Sequence, residues 1–153
     1  MNARFNARYL RHSGGLNVQV RYEKGIVHYL YDQNLLRDNP YYPGRAKMDS
    51  WLEVVPKDTL RWHVTTRPSA SVLKKTVQRN TLQSKWYKLF CQALWDHGYT
   101  REGRKQNTWE KGLAGTLELI VIKGAGWDES EEVVLGQCSK IVAAVEAEQR
   151  KTG

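Results

Sequence analysis

From Leu16 to Tyr22 apolar and polar residues alternate: Leu16, Val18, Val20 and Tyr22 fall on one side, Asn17, Gln19 and Arg21 on the other. A period of two is that of a half-buried strand. Glu23-Lys24-Gly25 reads as a tight turn, and Ile26 to Tyr31 as the returning strand of a hairpin. Leu60, Trp62 and Val64 alternate with Arg61, His63 and Thr65 and predict another strand, closed by Arg67-Pro68. Between Thr116 and Lys123 the pattern changes to a nearly continuous apolar run, Leu117, Leu119, Ile120, Val121 and Ile122. Such a run implies a strand covered on both faces, hence a central one.

The period lengthens elsewhere. Leu82, Trp86, Leu89, Phe90, Ala93 and Leu94 recur at helical spacing, with Asn80 or Thr81 as the cap and Gly98 as the residue past the end. Trp62 and Trp95 fall on apolar faces like Trp86, so all three are expected in the core. Val72 to Arg79 reads as a short basic helix leading in. Asp128-Glu-Ser-Glu131 has the form of a capping box opening a last helix, whose stripe is Val134, Leu135, Cys138, Ile141, Val142 and Val145. Residues 32–50 read as loop with one helical turn at Leu35-Leu36, because Asn39-Pro40, Pro43-Gly44 and Asp49 are turn signals. Trp51 to Val55 is a short apolar run ended by Pro56, and residues 99–115 are a long loop or an exposed strand.

The order predicts an α+β fold: a two-layer domain with a mainly antiparallel β-sheet and two amphipathic helices packed on one face. An opening hairpin argues against a doubly wound parallel sheet. With 153 residues, one domain spanning 1–153 is expected, with residues 1–14 as a basic N-terminal arm. Arg4, Arg8 and Arg11 precede the first acid, Glu23, which is the composition of a mitochondrial transit peptide as well as of an ordered arm. Cys91 and Cys138 have no metal-type spacing and read as reduced core residues of an intracellular protein. Cytoplasm, nucleus and mitochondrion stay open. No apolar run reaches the roughly 20 residues of a membrane span, so no membrane association is expected.

Charge sharpens this picture. The net charge is +8, and residues 61–111 carry eleven Lys and Arg against three acids, which equals the whole excess. The same stretch holds four of the six tryptophans: Trp62, Trp86, Trp95 and Trp109. Cations among flat rings suit phosphates and bases. Lys74, Lys75, Arg79, Lys85 and Lys88 lie on or before the long helix and are candidate phosphate contacts. Arg101, Arg104 and Lys105 follow, with Tyr99 and Trp109 as stacking candidates. A secondary loop, Arg37, Tyr41, Tyr42 and Arg45, could clamp a ring or a proline-rich peptide, or its tyrosines could cover a sheet edge.

Catalysis has less support. His12, His28, His63 and His97 show no metal-binding spacing, so neither a metal nor a cofactor is expected. His28 and His63, both on predicted strands, could face each other as an acid/base pair for RNA cleavage. The expectation is a non-enzymatic nucleic-acid-binding protein with RNA or a single strand as partner. The alternatives are a protein-interaction module, or basic subunit of an assembly, that meets an acidic partner, and a His-dependent nuclease. The oligomeric state is left open.

Overall fold

The computed structural model describes residues 8–9, 16–39, 41–66, 76–106 and 110–151. Its elements run β1 (Arg8–Tyr9), β2 (Val18–Glu23), α1 (Leu30–Asp38), α2 (Arg45–Val54), β3 (Leu60–Thr66), α3 (Thr76–Asp96), β4 (Gly115–Val121) and α4 (Glu131–Arg150). The fold is α+β, with a small sheet in the order β1-β2-β4-β3 in which the two-residue β1 is an edge. Arg8–Tyr9 belongs to the expected N-terminal arm and pairs antiparallel with Arg21–Tyr22 of β2.

The sheet is mixed rather than mainly antiparallel: β2 pairs antiparallel with β4, but β3 pairs parallel with it. The reason lies in α3. Its 21 residues supply the long crossover that two adjacent parallel strands need. β4 is central, as its apolar run implies, and all seven of its residues are buried.

One face of the sheet carries the apolar core. Val20 and Tyr22 of β2, Val64 of β3, and Leu117, Leu119 and Val121 of β4 pack with α3 and α4 in a single cluster. α3 contributes its whole predicted stripe, with Trp86 and Phe90 fully buried, and α4 contributes Val134, Cys138, Ile141, Val142 and Val145. Trp95 does not join them and is 60% exposed. It lies nine positions beyond Trp86, two and a half helical turns on, which carries it to the opposite side of α3. Trp62 is half-buried and packs against the cluster.

The second face is not open, and here the structure departs most from the pattern. Among the described residues there are four helices where two were expected, because α1 and α2 occupy most of the stretch 32–50 that was predicted as loop with one turn at Leu35-Leu36. Ile26 to Tyr29 is no returning strand, and from Leu30 the chain is helical. Side chains of the sheet satisfy its backbone instead: Thr116 Oγ1 accepts from the Val27 N–H at 3.0 Å, Arg61 Nη1 donates to the Val27 carbonyl at 2.7 Å, and Glu118 Oε1 accepts from the Leu30 N–H at 2.7 Å. With its polar groups paired this way the segment lies across the sheet face, and a ladder with β2 has no need to form.

The helix ends follow local chemistry. Gly98, at φ +89°, stands just past α3 as expected. At α4 the cap is Ser130, whose hydroxyl accepts from the Val133 N–H, rather than Asp128. Glu131 and Glu132 then fall in the first turn, where the helix dipole favours acids. Both cysteines are free, Cys138 buried and Cys91 half-buried. Burial pushes the Cys138 thiol up to about 12.

Candidate nucleic-acid interface

The pleat of β3 sends Leu60, Trp62 and Val64 one way and Arg61, His63 and Thr65 the other. On the second face, β2 and β4 add Arg21 and Glu118, which stand opposite each other in the ladder. Arg21 Nη1 donates to Glu118 Oε2 at 2.6 Å, and both side chains are buried. His63 Nε2 lies 3.0 Å from Glu118 Oε1. Burial alone would raise the Glu118 carboxyl. The hydrogen bonds from His63 and Leu30, with electrostatic attraction to His63 and Arg21, outweigh it and hold the group below its ordinary value.

The network continues outward. Arg21 Nη2 reaches Gln33 Oε1 at 3.5 Å, Gln33 donates to the His28 carbonyl at 2.7 Å, and His28 Nε2 meets Asp49 Oδ1 of α2 at 2.9 Å. His28 and His63 therefore belong to one polar layer, each against its own carboxylate. They do not form a cross-strand pair, because His28 precedes α1 and is not on a strand.

Rings surround Arg61. Its guanidinium carbon is 3.9 Å from the centre of the Tyr29 ring and 4.6 Å from that of Trp51, and Tyr29 stacks on His63 at 3.5 Å. Burial lowers the Arg61 pKa, and its Nε is buried without a hydrogen-bond partner among the described residues. Burial also pushes the Tyr29 hydroxyl up to about 12.

Next to this cluster Trp62 stacks on Tyr87 of α3 at 4.7 Å, and its Nε1 donates to the Arg101 carbonyl at 2.9 Å. Arg101 in turn sits 5.3 Å above the Tyr87 ring. Gly103 makes the turn at 100–104 possible: its φ is +80°, and a Cβ there would come within 2.7 Å of Leu60. The result is a groove of about 530 Å³ lined by Tyr29, Trp51, Arg61, Trp62, Tyr87 and Arg101, with Glu102, Val55, Thr59 and Leu60. Trp51 is its most open ring, 53% exposed.

The residues singled out by charge meet different fates. Lys85 is half-buried, and its Nζ donates at 2.6 Å to the carbonyls of Gly126 and of Glu129, so it pins the turn before α4. Tyr99 is buried in the core with its hydroxyl on Glu146 Oε2 at 2.7 Å, so its ring offers no stacking face, and burial raises its pKa. Lys105 lies 5.2 Å over that ring. Lys88 and Arg104 are exposed, 3.6 Å from Glu131 and 3.8 Å from Asp58 respectively, and Arg79 is half-buried on α3. Lys74, Lys75 and Trp109 lie outside the described residues.

The secondary loop is divided between helices. Arg37 ends α1 beside Asp38 at 3.5 Å, and Arg45 opens α2 with Asp49 at 3.7 Å. Tyr41 is 95% exposed and covers no sheet edge, and Tyr42 is also exposed.

Of the expected contacts among the described residues, only Arg101 lines the groove; Tyr29, Trp51, Arg61, Trp62 and Tyr87 were not singled out as site residues. The alternation of Arg61 with Trp62 sends them to opposite faces, and they share the groove because β3 is an edge of the sheet, which no local pattern shows. Among the described residues no cluster of His, Cys, Asp and Glu could hold a metal ion, and no helix is long and apolar enough to cross a membrane. Comparison with protein-family models, with curated proteins and with solved structures finds no match to this chain.

Proposed function

We propose that this protein binds nucleic acid, with RNA or another single strand as the preferred form. The observation that carries the reading is the groove in which two arginines and four aromatic rings from separate elements line one channel. Bases stack on aromatic rings whatever their identity, while guanidinium groups hold the phosphates between them. Trp51 is the stacking platform and Arg101 the phosphate contact, with the Arg61 charge held beside them between the Tyr29 and Trp51 rings. Arg104, from the same turn as Arg101, extends the positive rim. The overall charge of +8 strengthens encounter with a polyanion.

Fluorescence anisotropy with labelled single-stranded RNA, single-stranded DNA and duplex DNA, at about 50 and 200 mM salt, tests this. The expected result is single-strand binding that weakens steeply with salt and is reduced by Arg101→Ala. Absent binding at the lower salt, or affinity indifferent to salt, overturns the reading.

A protein partner is the second reading. Tyr31, Tyr41, Trp51 and Val54, on or between α1 and α2, are all more than half exposed. Concentration-dependent sedimentation, or cross-linking to an acidic protein suppressed by Tyr41→Ser, favours it over the first.

A further inference from the structure

We propose that the cavity behind Trp51 is a guanine pocket in which the Asp32 carboxylate reads the base of one nucleotide of the bound strand. The inference rests on the nucleic-acid reading above and names the base that the site prefers. The cavity holds about 250 Å³ and is lined by His28, Asp32, Lys47, Met48, Trp51 and Arg61. It shares Trp51 and Arg61 with the groove, so a strand lying there can turn one base inward. Its volume falls just below the roughly 300–1,000 Å³ of pockets for drug-sized molecules, which suits a single ring system.

The polar groups of the cavity narrow the choice. His28 Nε2 is engaged with Asp49 at 2.9 Å, and Arg61 Nη1 with the Val27 carbonyl at 2.7 Å. The Asp32 carboxylate, half-buried in the first turn of α1, makes no hydrogen bond or ion pair with a described residue and attracts the Arg61 guanidinium at longer range. The Arg61 Nε is likewise without a hydrogen-bond partner there. The cavity thus presents one acceptor-only carboxylate opposite cationic donors, between the apolar surfaces of Trp51 and Met48.

Only one base matches that arrangement. An unpaired base is read along its Watson–Crick edge, and a carboxylate has two acceptor oxygens and no donor. Guanine offers two adjacent donors, N1–H and the 2-amino group, which a carboxylate binds as a pair. Adenine and cytosine place a ring-nitrogen lone pair beside their amino group, and that lone pair repels a carboxylate. Uracil has one N–H between two carbonyls, both repelled. The O6 of guanine is an acceptor, which suits the Arg61 and Lys47 side of the cavity.

The test uses the full chain and labelled oligouridine carrying one central G, inosine or A, with GMP as competitor. A bidentate contact predicts that the G strand binds about 10-fold more tightly than the A or inosine strand, since inosine lacks only the 2-amino group. Asp32→Asn should abolish this preference, with oligouridine still bound and circular dichroism confirming the fold. Equal affinity for G, inosine and A, with oligouridine still bound, overturns the guanine pocket and leaves the groove standing. Absent binding of every oligonucleotide overturns the nucleic-acid reading itself. GMP competing as tightly as the G strand would make free nucleotide the ligand and overturn the strand-borne assignment.

Discussion

Glu118 shows what one residue does in this fold. Without its neighbours a carboxylate in the middle of a central strand would be strongly destabilising, yet here its two oxygens take three donors, from Arg21, His63 and the Leu30 backbone. Glu118→Ala takes the neutralising carboxylate from the buried Arg21 guanidinium, which should cost about 3–5 kcal/mol in urea unfolding. The same carboxylate sets an acid limit. Its folded pKa is depressed below the ordinary 4.5, so its contribution is complete above that value and is lost as pH falls through the folded pKa. The urea midpoint of the wild type should therefore drop more steeply below about pH 4.5 than that of Glu118→Gln. Parallel curves for the two would disprove this assignment. Lys85 makes the opposite point: a cation that looks like a phosphate contact is spent on two carbonyls. Lys85→Met should lower the melting temperature and leave nucleic-acid affinity and its salt dependence unchanged.

Among the elements, α3 and α4 behave as amphipathic helices should, since each owes its place to a stripe of buried residues. The Ser130 cap is local, and Ser130→Ala should cost about 1 kcal/mol of stability by differential scanning calorimetry, with no effect on binding. The segment leading into α1 obeys other rules. Its backbone is held by Thr116, Arg61 and Glu118, so residues on β3 and β4 decide its course. Thr116→Val removes both the acceptor for Val27 N–H and the donor to the Gly25 carbonyl at 3.1 Å. Amide hydrogen exchange at Val27 should accelerate in that variant while α4 stays protected.

At the scale of the whole molecule, charge and shape act together. The positive excess brings a polyanion near from many directions, and the groove supplies rings beside two of the cations. Each phosphate contact on a single strand contributes about −0.7 to the slope of log K against log salt. Arg101→Ala should therefore flatten the slope by somewhat less than one unit. Trp51→Ala should weaken binding by about 1–3 kcal/mol, the worth of one stacked base, and leave the slope unchanged. A change in slope for Trp51→Ala would show that the ring acts by holding Arg61 rather than by stacking.

Periodicity alone determined the strands at 18–22 and 60–64, the central place of β4, and the buried stripes of α3 and α4. These patterns record burial against a neighbour, and burial repeats with the period of the element itself, so a single chain displays it. The tertiary structure decided the parallel pairing of β3 with β4, which depends on where α3 returns the chain. It also turned Ile26 to Tyr29 away from the sheet edge, because the partners of that backbone are side chains up to ninety positions away. The candidate site follows the same division. Basic character and aromatic content are sums over the chain and can be read from it directly. Lys85 and Tyr99 turned inward, and Arg61 drew Tyr29 and Trp51 around itself, through contacts between elements that no local pattern encodes.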